Sequence, residues 1–288
     1  MNQNRRIGYC CQNLSIPSNF RTTTITWLRN NYDLAEKKIT NIVEHNLKQL
    51  VDVIHWNIGR NIQVFRLTSE FVPAADHPEF AHIWDKIKES DLFKIARPTI
   101  ERYISGGGRI GTHPAQFTVL SSERQEVVNQ SVSHLKYHAD LLDLLGFPSN
   151  HYFGINIHVS NGSKYESANS NVQRSLEKLP ENVLRRLTFE TEESGCWTWQ
   201  NLIKLPVPIV LDFHHQRINN YGDSWDEAFA ACSSTWGSVP PLTHYSEGKE
   251  HALDTKHSDY IVELPKFDVD IELECKKKDL AVLKLLNE

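Results

Sequence analysis

Eight short apolar or β-branched runs recur along this chain, at residues 6–10, 64–69, 109–112, 154–159, 186–191, 208–213, 241–245 and 268–275. Runs of this length bounded by turn residues read as buried strands, and what separates them decides the fold. Between them lie stretches with helical spacing. Over residues 34–54 the apolar positions are Leu34, Ile39, Ile42, Val43, Leu47, Leu50, Val51 and Ile54, which share one helical face. Residues 127–145, 224–232 and 280–286 read the same way. Eight strands alternating with helices in 288 residues predict one α/β domain over 1–288, a (β/α)8 TIM barrel. A two-domain doubly wound protein is the alternative, and no Gly/Ser linker, internal repeat or low-complexity tract supports it.

Composition narrows the class. Forty per cent apolar residues supply a core, which excludes a mainly disordered chain. No 18-residue apolar run marks a membrane span. The opening residues MNQNRRIGYC lack an apolar segment and cleavage site, so no secretory signal is readable, and a cytoplasmic protein is expected. Five cysteines, an odd number without CxxC spacing, point to reduced thiols rather than a disulfide or zinc framework. A net charge of −5 argues against a nucleic-acid partner only weakly, because three bound divalent cations would turn the balance positive.

A barrel carries its chemistry at the C-terminal ends of its strands. Residues able to bind metal gather there. His113 follows RIGT, His158 ends GINIH, Glu190 ends RLTFE, Asp212 and His215 close IVLDFHH, His244 ends PLTH and Glu274 ends DIELE. His77 and His257 fall in or near the loops after the second and seventh strands. Any one of them has an ordinary structural reading, as a hydrogen-bonded strand end, a salt-bridged carboxylate or a helix cap. The set is different, because apolar filler would be easier to bury at so many strand ends. Mixed His/Asp/Glu ligation suits Zn²⁺, Mn²⁺ or Fe²⁺, and such a set holds too many ligands for one ion. Clustered divalent ions can activate water, hold a phosphodiester oxygen and neutralise a departing 3′-oxyanion.

Other motifs are less informative. GxSxG is absent, so no serine elbow is present. The run Gly106 to Gly108 precedes a strand and reads as a turn rather than a phosphate loop. Cys10 and Cys11 read as barrel packing, and Lys276 to Lys278 as a solvated helix start near which DNA could lie.

The motifs IGYCCQN (7–13), RLTSEFVPAADHP (66–78), GTHPAQF (111–117), INIHVS (155–160), RLTFETE (186–192), LDFHH (211–215), THYS (243–246) and DIELECKKK (270–278) resemble the UV damage endonucleases, in family order over nearly the whole chain. The resemblance implies a barrel related to endonuclease IV that nicks double-stranded DNA immediately 5′ of cyclobutane dimers, 6-4 photoproducts and often abasic sites. Such enzymes leave a 3′-hydroxyl and a 5′-phosphate, usually with Mn²⁺, and here two or three ions are expected. Carried over by motif, His113, His158 and Glu190 would bind one metal, with Glu190 bridging to a second. Asp212, His244 and Glu274 would complete the second site, and His215 and His257 would hold a third. Glu190, His244 and Glu274 are thereby catalytic as well as ligating, and His77 matches a histidine near the scissile phosphate, a proton donor or orienting group. Gln116 and Phe117 match the wedge that fills the space left when the damaged dinucleotide is flipped out. Tyr9 and Asn13 match residues that contact the DNA opposite or beside the lesion, although Tyr9 also reads as a barrel aromatic. No membrane and no obligatory protein partner is expected, and association with the nucleoid during repair is.

The chain departs from the family pattern at three places. Leu242 stands where many members have a carboxylated Lys that bridges metals. Glu190-Thr191-Glu192 replaces Glu-Asn-Asp, and Glu272 replaces an apolar residue. Residues i and i+2 of a strand share a face, so Leu242 and Glu272, each two before a ligand, are expected in one barrel layer, with Glu272 supplying the missing carboxylate. Pairing of Glu272 with Arg or Lys is the alternative. The rival functions are an abasic-site endonuclease, a barrel sugar isomerase with a small closed pocket, and a damage-binding protein with a decayed site.

Overall fold

The computed structural model describes residues 5–159, 165–219 and 223–286. Eight parallel strands, β1 (Ile7–Cys10), β2 (Val64–Leu67), β3 (Arg109–Thr112), β4 (Ile155–His158), β5 (Leu187–Glu190), β6 (Ile209–Asp212), β7 (Leu242–Tyr245) and β8 (Asp270–Leu273), close into a barrel in sequence order. Every strand lies inside the run that predicted it. The runs overshoot, most at β8, because Glu274 and Cys275 continue the pattern after pairing has ended. The barrel is the TIM architecture expected.

The connecting helices are α1 (Ile25–Asn30), α2 (Ala35–Gly59), α3 (Ala81–Lys88), α4 (Arg97–Ser105), α5 (Gln125–Leu145), α6 (Tyr165–Leu176), α7 (Glu181–Leu184), α8 (Trp199–Leu202), α9 (Phe213–Ile218), α10 (Trp225–Ser234) and α11 (Lys278–Leu286). The periodic stretches became α2, α5, α10 and α11. In α2 the predicted stripe Ile39, Ile42, Val43, Leu47, Leu50 and Ile54 is buried against the barrel, each such side chain stabilising the fold by about 2 kcal/mol. Ser224 caps α10 through a reciprocal capping box with Glu227.

The N-terminal end of the barrel is closed by buried charge. Asp270 takes bonds from Arg6 Nε at 2.8 Å and Arg109 Nη1 at 2.9 Å, and Arg109 lies between the rings of Tyr152 and Trp236. Gly107, with φ +82, makes the turn before β3 and its carbonyl accepts from Arg6, which bears out the reading of this triplet as a turn. Above this floor a cavity of about 20 Å³ is lined in part by Leu242, Trp236, His244 and Glu272, room for one water. Leu242 and Glu272 therefore meet one space. The β7–β8 register corrects their level, however, since it pairs Glu272 with His244 and Leu242 with Asp270.

No helix among the described residues is long and apolar enough to cross a membrane.

Candidate metal centre

Glu190 is the hub. It ends β5, is fully buried, and its side chain meets residues from four other strands or strand ends. His113 Nε2 lies 3.0 Å and His158 Nε2 4.0 Å from its Oε2, which also accepts from Asn156 Nδ2. His244 Nδ1 lies 3.1 Å and His215 Nδ1 3.5 Å from its Oε1. Parallel register explains the convergence: His158 pairs with Glu190 across β4–β5, and Asp212 with His244 across β6–β7.

Three groups able to hold a cation result, each with ligand atoms within 4.8 Å of one another: His113–His158–Glu190, Glu190–Asp212–His244, and His244–Glu272–Glu274. The first is the set predicted for one metal. The second shares Glu190 with it, as a bridging carboxylate requires, but Glu274 falls in the third group, beside Glu272. His215 and His257 are not brought into a common group. His215 faces Glu190 and, through Nε2 at 3.3 Å, Glu193, while His257 Nε2 lies 3.7 Å from Glu274 Oε2. The ring of His214 stands between them.

The donor set fits divalent cations on two grounds. Asp212 spends Oδ1 on capping α9, accepting from His214 and His215 N–H at 2.6 and 2.9 Å, and its buried Oδ2 has no hydrogen bond among the described residues, while Glu190 Oε1 is met by the imidazoles of His244 and His215. A buried carboxylate oxygen left without a donor, as Asp212 Oδ2 is, calls for a cation. Several imidazoles are also braced at one nitrogen. His215 Nδ1 meets the Thr191 carbonyl at 2.8 Å, His257 Nδ1 the Ser246 hydroxyl at 2.6 Å and His113 Nδ1 the Pro114 carbonyl at 3.1 Å. Such bonds fix the tautomer and leave Nε2 for a ligand.

Electrostatics agree. Burial opposes the charge of Glu190, but His244, His158 and the bond from His113 hold its carboxyl well below the usual range. Burial likewise opposes charge on His215 and His244, yet Asp212 and Glu190 raise the first to about 9 and Glu190 raises the second to about 9. The carboxylates around Glu190 thus favour the charged form of both imidazoles. Burial pushes Glu272 up to about 7 despite Arg66, whereas Arg66 and His244 outweigh burial and keep Glu274 low.

Arg66 was missed in the sequence. It projects from β2 into the barrel, pairs with both Glu272 and Glu274, and lies 3.2 Å from each ring nitrogen of His244. An arginine inside the apolar run VFRL, with carboxylates in excess at the strand ends, was its signal. Asn156 and Glu193 were missed too, and nothing in their local pattern distinguishes them. Glu272 therefore has the ion pair foreseen as the alternative and also a place in a cation-sized group.

The remaining residues divide. Gln116 and Phe117 are exposed in the loop after β3, Phe117 at 63%. His77 lies half-buried in the loop after β2, where its Nδ1 accepts from Glu79 N–H at 3.3 Å, outside the three groups. Tyr9 and Asn13 are buried, contrary to the expectation that they touch DNA. Tyr9 donates to Asn57 Oδ1 at 2.8 Å and accepts from Asn13 Nδ2 at 2.7 Å, while Asn13 Oδ1 accepts from Ser15 and Ile16 N–H. This network shapes the loop after β1. Cys10 is more than packing: Lys278 Nζ lies 3.2 Å from its sulfur, and the neighbouring Cys11, Arg66 and Lys278 lower its pKa. Lys278 is thereby turned inward while Lys276 stays exposed. Ser160, last in the INIHVS motif, lies outside the described residues.

Comparison with known proteins agrees with the barrel fold. Residues 5–288 match the family UV-endonuclease UvdE. The chain is 31% identical over 273 residues to a UV DNA damage endonuclease of Bacillus cereus (strain Q1), covering 88% of this chain and 83% of that one. It is 29% identical over 281 residues to its counterpart from Bacillus anthracis, with the same coverage. The crystal structure of SacUVDE superposes with a TM-score of 0.85 at 30% identity, covering 98% of this chain and 99% of that one. The chain belongs to the UV-endonuclease UvdE family of DNA repair endonucleases.

Proposed function

We propose that this protein nicks double-stranded DNA immediately 5′ of cyclobutane dimers and 6-4 photoproducts, and at abasic sites, in a metal-dependent hydrolysis that leaves a 3′-hydroxyl and a 5′-phosphate. The observation that carries this reading is Glu190, a buried carboxylate shared by two cation-sized groups at the mouth of a UvdE-family barrel. Two or three ions, Mn²⁺ first among them, would be held by His113, His158, Glu190, Asp212, His244 and Glu274, with His215 and His257 at the margins. When bound, the metals supply water activation and neutralise charge developing at the phosphate. The chain's own residues bind and orient. Glu190 and Asp212 fix the cation positions, Arg66 holds Glu274, and His77 donates a proton to, or orients, the departing 3′-oxygen. Gln116 and Phe117 fill the stack vacated by the flipped dinucleotide. The whole chain, 1–288, acts as one domain, in the cytoplasm and on the nucleoid.

Supercoiled plasmid, irradiated, depurinated or untreated, tests this with Mn²⁺ and with chelator. Nicking of irradiated plasmid only with metal is expected. Nicking of depurinated plasmid alone would move the function to abasic sites, and no nicking with any metal would leave a damage-binding protein.

Glu272 is proposed as the carboxylate that compensates for Leu242. Glu272→Gln should then lower bound metal and slow nicking by about 10- to 100-fold, the usual effect of disturbing a metal site's supporting groups. Unchanged metal content and rate would leave Glu272 as the partner of Arg66 alone.

Because His215 and His244 sit near 9 without metal, cation binding must expel their protons. Apparent metal affinity should rise with pH up to about 9, and titration calorimetry in buffers of different ionisation enthalpy should show proton release at pH 7. For the ion-free fold the sign is opposite. Both pKa values lie above the ordinary 6.5, so their stabilisation is full below pH 6.5 and is lost as pH climbs through about 9. Metal uptake without proton release would contradict this.

A further inference from the structure

The exposed ring of Phe117 does not stand alone. Its centroid lies 5.2 Å from the imidazole of His134 on α5, at an interplanar angle of 51°. His134 is itself buried and held at both ring nitrogens. Nδ1 lies 2.9 Å from Asp76 Oδ2, and Nε2 lies 3.4 Å from Nε2 of His138 one turn on. Burial keeps His138 well below the ordinary histidine range, hence neutral. Both bonds form together when His138 donates from Nε2 and His134 donates from Nδ1 to the carboxylate. That arrangement leaves His138 Nδ1 buried without a partner among the described residues. An apolar side chain would avoid that cost, so the pair is poorly explained by packing alone.

The same helix ties down both neighbouring loops. Val119 N–H, two residues past Phe117, donates to Ser131 Oγ at 2.8 Å, and Val72 N–H donates to the Tyr137 hydroxyl at 2.9 Å. Tyr137 packs on the rings of His134 and His138. Asp76 directly precedes His77. Ser131, His134, Tyr137 and His138 thus form one face of α5 that joins the loop bearing His77 to the loop bearing Gln116 and Phe117.

We propose that His134 is a positioning residue for damage recognition: clamped by Asp76 and His138, it is the platform that pre-orders the Phe117 ring and links its position to the His77 loop. A phenylalanine has no hydroxyl to tether it, so ring contact is what limits its rotamers before DNA arrives. A wedge ordered in advance loses less freedom on insertion. The inference rests on the reading of Phe117 as the lesion probe.

The test is a double-mutant cycle in the full-length, Mn²⁺-loaded protein, reading Kd for a duplex with a single thymine dimer and an uncleavable linkage 5′ of it against the same duplex undamaged. Phe117→Ala should reduce dimer selectivity roughly tenfold, the scale of one lost aromatic–base stack. His134→Ala should reduce it about three- to tenfold, with metal content retained, and the double variant should be no worse than Phe117→Ala, because His134 acts through that ring. His134→Phe, which keeps a flat platform, should recover part of the loss, and it carries the test if the alanine variant does not fold. Additive losses, or equal weakening for damaged and undamaged duplex, would overturn the inference. So would Phe117→Ala with undiminished selectivity, and that result alone would also remove the probe reading beneath it.

Discussion

Glu190→Gln should lower nicking of damaged DNA by about 10³-fold, the upper end of what one preorganised charged group contributes. The amide keeps the shape of the side chain and an oxygen for Asn156, so the barrel should stay folded. What it removes is a buried negative charge that His113, His158, His215 and His244 all approach within 4.0 Å. Two cation-sized groups share this carboxylate, so both should lose affinity together. Bound metal measured by mass spectrometry should fall in step with the rate. A variant that nicks at the wild-type rate with full metal content would show that Glu190 is only a structural acid.

Phe117→Ala should have a large effect of a different kind. The ring is exposed in the loop after β3, apart from the cation groups, so metal content and circular dichroism should not change. Each base stacked on an aromatic side chain contributes about 1–3 kcal/mol, so selectivity for dimer-containing duplex should drop by roughly 5- to 150-fold. Competition binding with undamaged duplex reads this directly. Equal loss of affinity for both duplexes would make Phe117 a general DNA contact rather than a lesion probe.

The barrel and most residues of the three cation-sized groups were legible because strand and chemistry coincide here. Glu190, Asp212 and His244 end β5, β6 or lie within β7, and parallel register makes neighbouring strand ends converge without any long-range guess. What escaped has physical reasons. Arg66 was hidden because its partners Glu272 and Glu274 are about 200 residues away in sequence, and a lone arginine in a strand carries no period. Of the two readings open for Tyr9, DNA contact or barrel aromatic, its burial matches the second, because Asn57 on α2 and Asn13 enclose its hydroxyl, contacts that only the closed barrel creates. The short helices α7, α8 and α9 span one or two turns, too few for periodicity to show. The platform under Phe117 was invisible for the same reason as Arg66: Asp76 and His134 meet only when the loop after β2 folds onto α5.

The most direct measurement uses a 5′-end-labelled duplex bearing one thymine dimer at a known position, incubated with the protein in Mn²⁺ or in chelator, its product sized against a ladder with 3′-hydroxyl ends. The metal centre proposed around Glu190 predicts a single metal-dependent cut at the phosphodiester immediately 5′ of the dimer, ending in a 3′-hydroxyl. Cleavage that persists in chelator, or that falls elsewhere on the strand, would contradict it.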